Sequence, residues 1–418
     1  MSDEQKKKVN RANFKFIGTP YFLNESNGFK PYEEKKSSSK WSYRNFSFGI
    51  NADGQKQFLK IYGGHGDKVY YCDKETQKSD SVAFSKRDTV DLNSVAPYSK
   101  WVVNLNEPSA RYNDSVNKYS SLKAEYIDIK DSNPNKAKEL KSQIVDLKKQ
   151  IDEYKENYHE FITAWDFAEW MNKNQSSFKN IKVGVSGDID FYCSKGTTYT
   201  TYSPKRIWKV AADTPEQCEG TMVVFYNSES LQDLDKETNT TTLSGFVEYR
   251  DPKIKPSEVN YAPIDLIIKG QADPSLTRRQ LEKFKVKEGK VKAYGVVFKA
   301  CNGASKRAAT EAELTEELKL DIELGEITLE QAIELMPPVV TEGEKGLYYK
   351  HVSRAFVKGP EIQEGVDGYS FGWIDSKDIV EEKPEKSKEV NDIDDDFDDG
   401  MDDVVKELDA DDDEIDWD

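Results

Sequence analysis

The chain has 418 residues, of which 36% are hydrophobic and 33% charged. That balance suits a folded body with long solvated segments, and no run of about 18 apolar residues offers a membrane span. The net charge of -17 is concentrated at one end: 391–418 holds 16 acids and one Lys, which leaves a near-neutral body able to bind an anion.

The first stretch, 1–11, reads as a flexible N-terminus. MSDEQKKKVNRANFKF lacks the apolar segment of a secretory signal, so a cytoplasmic location is expected. Residues 12–110 form a first β region. FKFIGTPYF, KWSYRNFSFGI, KQFLKIYGG, KVYYC and SKWVVNL are rich in aromatic and β-branched residues, with turn-forming clusters between them. Asp53-Gly54, between two of these runs, signals a hairpin.

Residues 111–175 switch to a helical pattern. Leu140, Ile144, Leu147, Ile151, Tyr154, Tyr158 and Phe161 follow alternating steps of 4 and 3, a heptad seam on one helix. Tyr119, Leu122, Tyr126 and Ile129 make a matching stripe upstream, and Pro134 is placed to start the second helix. The expectation is an antiparallel helical hairpin packed on itself, with self-association or partner binding as a second reading. FITAWDFAEWMNK continues as an amphipathic helix. Residues 176–273 are a second β region with five strand candidates, and 274–380 a small α+β region. There Thr310 with Glu313 and Thr328 with Gln331 form capping-box pairs, and Gly325 breaks the helices. The tail, 381–418, reads as disordered.

Chemistry is poorly represented. No phosphate-binding loop, HExxH, GxSxG or protein-kinase set occurs, and Gly63-Gly64-His65-Gly66 reads as a turn. Three scattered histidines (His65, His159, His351) leave few acid-base candidates near neutral pH. Cys72, Cys193, Cys218 and Cys301 lie far apart without a CxxC pair, so no zinc or other metal is expected, and the thiols suit a reducing compartment. The expectation is a non-enzyme without a cofactor.

Binding is better supported, because strand parity separates two faces. In KQFLKIYGG, Leu59 and Ile61 share one face, and Phe58, Lys60 and Tyr62 the other. In KWSYRNFSFGI the core set is Phe46, Phe48 and Ile50, with Arg44 on the same parity, while Trp41 and Tyr43 point the other way. Tyr199, Tyr202, Lys205, Arg206 and Trp208 repeat the coupling of rings with cations, but Pro204 interrupts their parity. Such residues suit single-stranded nucleic acid: bases stack on rings while cations neutralise phosphate. No recognition helix or zinc finger is visible for duplex readout. Stacking does not separate the sugars, so RNA stays open beside DNA.

Five short strands with a helix match an OB-fold barrel. The expected fold is a β-rich α+β chain: tandem OB-fold-like antiparallel barrels, a helical hairpin insertion, a small mixed C-terminal region and a disordered acidic tail.

FITAWDFAEW and IKVGVSGDIDFYCSKGTTYTTYSPKRIWKV resemble the helix and strands of OB-type phage single-stranded-DNA-binding proteins. ELKLDIELGEITLEQAIEL resembles a segment found downstream in such proteins. Their bacterial counterparts end in an acidic tail closing on Asp-Asp-Asp-Ile-Pro-Phe. Here Asp411, Asp412, Asp413, Glu414, Ile415, Asp416, Trp417 and Asp418 give acids, an Ile and a near-terminal aromatic, without the Pro, with Trp for Phe and with one Asp after it. The resemblance implies coating of single-stranded DNA in phage replication or recombination, inside the host cytoplasm. The tail would recruit replication or recombination proteins, its Ile and Trp docking in a partner's apolar pocket. One phage group carries a structural zinc, for which this chain offers no matching ligands. The alternatives are a phage structural or carbohydrate-binding β-protein, and an acidic DNA mimic or chaperone.

Overall fold

The structure is a computed structural model. It describes residues 12–353 apart from 26–28, 37–40, 110–111, 131, 195–196, 250–259, 289–290, 308, 326 and 337–338. The tail residues Asp411 to Asp418 therefore lie outside the described residues.

The chain opens with β1 (Ala12–Phe22), β2 (Tyr32–Lys36), β3 (Ser42–Ala52) and β4 (Gln55–His65). Next come β5 (Lys68–Cys72), β6 (Ser79–Ala83), β7 (Trp101–Asn104), α1 (Tyr112–Ile129), α2 (Pro134–Glu156), β8 (Tyr158–Phe161) and α3 (Ala164–Lys173). Strands β9 (Val183–Ser194), β10 (Thr197–Lys209), β11 (Gln217–Tyr226), β12 (Thr240–Tyr249) and β13 (Asn260–Lys269) follow. The described part ends with α4 (Pro274–Glu282), β14 (Lys292–Arg307), α5 (Glu316–Glu323), α6 (Leu329–Leu335) and β15 (Val339–Val352).

Pairing closes two rings of five strands. Around the first, β1, β3, β4, β10 and β9 return to β1, with β4 and β10 parallel at Leu59 and Tyr202. Around the second, β11, β12, β13, β15 and β14 return to β11, with β13 and β15 parallel at Leu266 and Leu347. Counted along the chain, the strand order in both is 1-2-3-5-4. The rings share an edge where β1 pairs β11, from Asn13 opposite Thr221 to Ile17 opposite Gln217.

Local sequence explains the tight places. Asp53 and Gly54 have φ of 52° and 74°, as a two-residue hairpin loop between Ala52 and Gln55 requires. At Gly18, β1 leaves β9 and turns to β3, and any Cβ there would collide with the Asn51 backbone. Inside the first ring Phe16, Phe46, Phe48, Ile50, Leu59 and Ile61 are almost fully buried. Burial of each such side chain contributes about 1.5–3 kcal/mol. Helix α3 covers that ring with buried Trp165, Phe167, Ala168 and Met171, and its cap Thr163 accepts from the Asp166 N–H at 3.1 Å. Phe284, just after α4, joins the core of the second ring beside Tyr294.

Several boundaries differ from expectation. Residues 176–273, expected as one β region, are split: β9 and β10 complete the first ring, and β11 to β13 begin the second. Strands β14 and β15, from the stretch expected as a small α+β region, complete the second. The cause is long-range pairing: the parallel partners β4 and β10 are separated by the whole helical insertion. The heptad seam also stops early. Asn157 terminates α2, and Tyr158 to Phe161 pair with β7 as a strand, so tertiary pairing overrides the helical period. Within its bounds the hairpin matches the pattern: Asn133 caps α2, Pro134 opens it, and Leu140, Leu147 and Ile151 are buried. Helix α3 begins at Ala164, so Phe161 and Ile162 precede it. The Thr310 capping box opens a 3-10 turn, and the Thr328 box opens α6. Gly325 ends the α5 segment at φ 74°.

Candidate nucleic-acid interface

Strand β4 alternates cleanly. Leu59 and Ile61 point into the first ring; Lys56, Phe58, Lys60 and Tyr62 point out of it. Across the ladder, Tyr62 lies opposite Asn45 and Phe58 opposite Gly49. Tyr43, also outward on β3, meets Tyr62 with ring centroids 5.5 Å apart and planes at 32°. The Trp41 indole lies over Gly64, where any Cβ would collide with it, and is 43% exposed. Trp41, Tyr43, Phe58, Lys60 and Tyr62 are thus brought together on one outer face.

Three aromatic or basic neighbours were not anticipated from the sequence. Tyr21 on β1 meets Phe58 edge to face at 6.5 Å. Lys56 extends the period-two row by one step, a signal already present in KQFLKIY. Tyr192 on β9, 39% exposed, pairs with Tyr199 on β10 at 6.1 Å.

The electrostatics are moderate. Lys60 is half-buried, and burial draws its pKa below the ordinary lysine value while Glu33 pulls it back up. Burial raises the Tyr43 hydroxyl, with Lys35 opposing. Lys35 also pairs with Glu33 at 3.0 Å.

Other expected site residues fall elsewhere. Tyr202 is 8% exposed and packs edge to face on Phe14 and Phe16, so it belongs to the core. Arg44 faces inward at the ring's end. Its Nε donates to Glu34 at 2.9 Å, one Nη to Glu169 at 2.5 Å, and its guanidinium lies 4.0 Å from the Trp165 ring centre. It fastens α3 to β2 and β3. Lys205 pairs with Asp188 at 2.6 Å, at a bulge between Pro204 and Arg206. The bulge restores the alternation that Pro204 interrupts: Ile207 is buried, while Arg206 and Trp208 face outward. Trp208 lies over Gly184 of β9. These two stand apart from the β3–β4 cluster, beside β7.

The β3–β4 face can stack flat rings and neutralise phosphate with the lysines between them. Among the described residues, no group of three or more His, Cys, Asp or Glu is placed to hold a metal, and no helix is long and apolar enough to cross a membrane.

No family model and no curated protein matches the chain. Among solved structures, it is similar to a deletion mutant of the single-stranded DNA binding protein from Thermus aquaticus. That likeness has a TM-score of 0.27 and 7% identity, covering 70% of this chain and 88% of that one. A similarity at that level transfers neither fold nor function to this chain.

Proposed function

We propose that the chain is a non-catalytic protein that binds and coats single-stranded DNA with little sequence preference. The observation that carries this reading is the outward row Lys56, Phe58, Lys60, Tyr62, flanked by Tyr43 and Trp41. Rings and cations alternate along one strand, the spacing that base stacking and phosphate contact demand together. The strand order 1-2-3-5-4, with a helix between the third and fourth strands of each ring, supports reading both rings as OB-type barrels. In that fold the second and third strands, here β3 and β4, form the binding face.

The setting that fits is phage DNA replication or recombination in the host cytoplasm. In this proposal the tail 391–418, at a net charge of -15, competes with phosphate for the face and recruits partner proteins through Ile415 and Trp417. Deleting 391–418 is then expected to tighten DNA binding; equal or weaker binding contradicts the competition.

Titration of fluorescent oligo(dT) at low and high salt, with duplex competitor, tests the main reading. Binding that falls steeply with salt and resists duplex supports it. No binding at low salt, or full displacement by duplex, overturns it.

A further inference from the structure

A cleft of about 750 Å³ opens at the base of the helical hairpin, between α1, α2 and the β7–β10 edge of the first ring. A smaller one of about 380 Å³ shares Asn106, Glu107, Tyr154 and Lys209 with it. Tyr112 and Tyr154 line the larger, their rings stacked at 4.6 Å and 27°. Tyr158 continues the stack, 5.9 Å from Tyr154 at 22°. Trp208 lines the smaller. In register, Trp208 lies beside Asn104 and Asn104 beside Tyr158, so all three share the outward side of the sheet. Arg206 is exposed two residues away, and Lys209 is paired with Glu107, whose side chain is 66% exposed.

Tyr112 and Tyr154 stay half-buried beside the larger cleft and Trp208 beside the smaller, so each keeps part of its ring toward open space. The amides organise the cleft: Asn106 Nδ2 donates to the Asn104 side chain at 2.9 Å and to the Tyr154 carbonyl at 3.0 Å. An ion pair with so exposed a carboxylate contributes little, so Lys209 can exchange Glu107 for a phosphate at low cost. Strands β4 and β10 run parallel, so the row from Phe58 to Tyr62 points toward the end of β10 that bears Trp208. Six residues of strand separate Trp208 from the level of Leu59, about 20 Å.

We propose that this cleft is a second stacking subsite, which takes a base and phosphate of the same single strand beyond the β3–β4 face. The proposal rests on the DNA-binding reading. It predicts a length threshold: a short strand occupies the first face alone, and a longer one reaches the cleft.

The test uses the full chain with oligo(dT) of about 5 and about 16 nucleotides, the span of site sizes for one such barrel. Tyr154→Leu, which keeps bulk but removes the stacking ring, is expected to weaken the longer oligonucleotide about tenfold and leave the shorter unchanged. Tyr154→Phe should retain wild-type binding of both. Arg206→Gln, a surface change that tests the site even if the Tyr154 variants fold poorly, should weaken only the longer strand and reduce its salt slope by about one. Equal effects on both lengths, or no effect of Tyr154→Leu and Arg206→Gln on either, overturn the subsite while leaving the first face intact. Failure of the wild type to bind either length overturns the DNA-binding reading itself.

Discussion

The two rings have the same strand order and opposite surfaces. The first presents Lys56, Phe58, Lys60 and Tyr62 outward on β4. The corresponding third strand of the second, β13, presents Pro263, Asp265, Ile267 and Lys269. Its neighbour β12 adds Thr240, Thr242 and Ser244, and Ser244 donates to Asp265 at 2.7 Å. The first ring also reaches over to the second, where Thr198 of β10 donates to the Pro263 carbonyl at 2.5 Å. On the proposed reading, strand order alone does not make a binding face. Which side chains occupy the outward parity of two adjacent strands does, and in the second ring those positions hold hydroxyls, Asp265, the apolar Pro263, Ile267 and Phe246, and a Lys269 paired with Glu344, with no row of alternating rings and cations.

The largest expected effect contrasts the inside of the first ring with its outside. Tyr202→Ala should cost about 3–5 kcal/mol of stability, read by denaturant unfolding, because it empties a ring-packed core position. A small loss would move Tyr202 back among the surface residues. Next, Phe58→Ala and Tyr62→Ala should each lower oligo(dT) affinity by about 1–3 kcal/mol. Ile267→Ala, at an outward position on the second ring, should leave oligo(dT) affinity unchanged. Equal losses on both rings would dissolve the comparison.

A smaller effect separates the cores. The Tyr226 hydroxyl in the second ring is buried without a hydrogen-bond partner among the described residues. Tyr226→Phe should raise stability by about 1 kcal/mol and leave DNA affinity unchanged, because an unpaired buried hydroxyl is a cost that the substitution removes. The smallest effect is pH dependence. Burial lowers the Lys60 pKa in the free protein. A phosphate beside it would raise that pKa, so binding takes up a proton. Affinity should hold at neutral pH and fall as pH rises through the lowered value toward the ordinary 10.5. Lys60→Arg should flatten that part of the profile, and an unflattened profile would remove Lys60 from the contact.

Period-two patterns were legible in the sequence wherever one strand decides its own faces. KQFLKIY gave away Leu59 and Ile61 as core and Phe58, Lys60 and Tyr62 as surface. Asp53-Gly54 announced its hairpin, and Pro134 its helix. What stayed hidden depends on distant partners. Arg44 had the right parity for the interior, but Glu34 and Glu169, which hold it, come from β2 and α3. Tyr202 looked like part of a tyrosine-rich surface because the bulge that resets β10 is a tertiary feature. The ring closures were hidden for the same reason: β10 meets β4 only after the hairpin, β8, α3 and β9 have intervened, and β15 meets β13 only after α4, β14, α5 and α6.

Photo-crosslinking of oligo(dT) to the full chain, with the attached residues mapped by mass spectrometry, tests the central claim most directly. Attachment is expected on the outer face of the first ring, at Trp41, Tyr43, Phe58 or Tyr62. Attachment confined to β12 and β13 of the second ring, with the β3–β4 face unmodified, would contradict it.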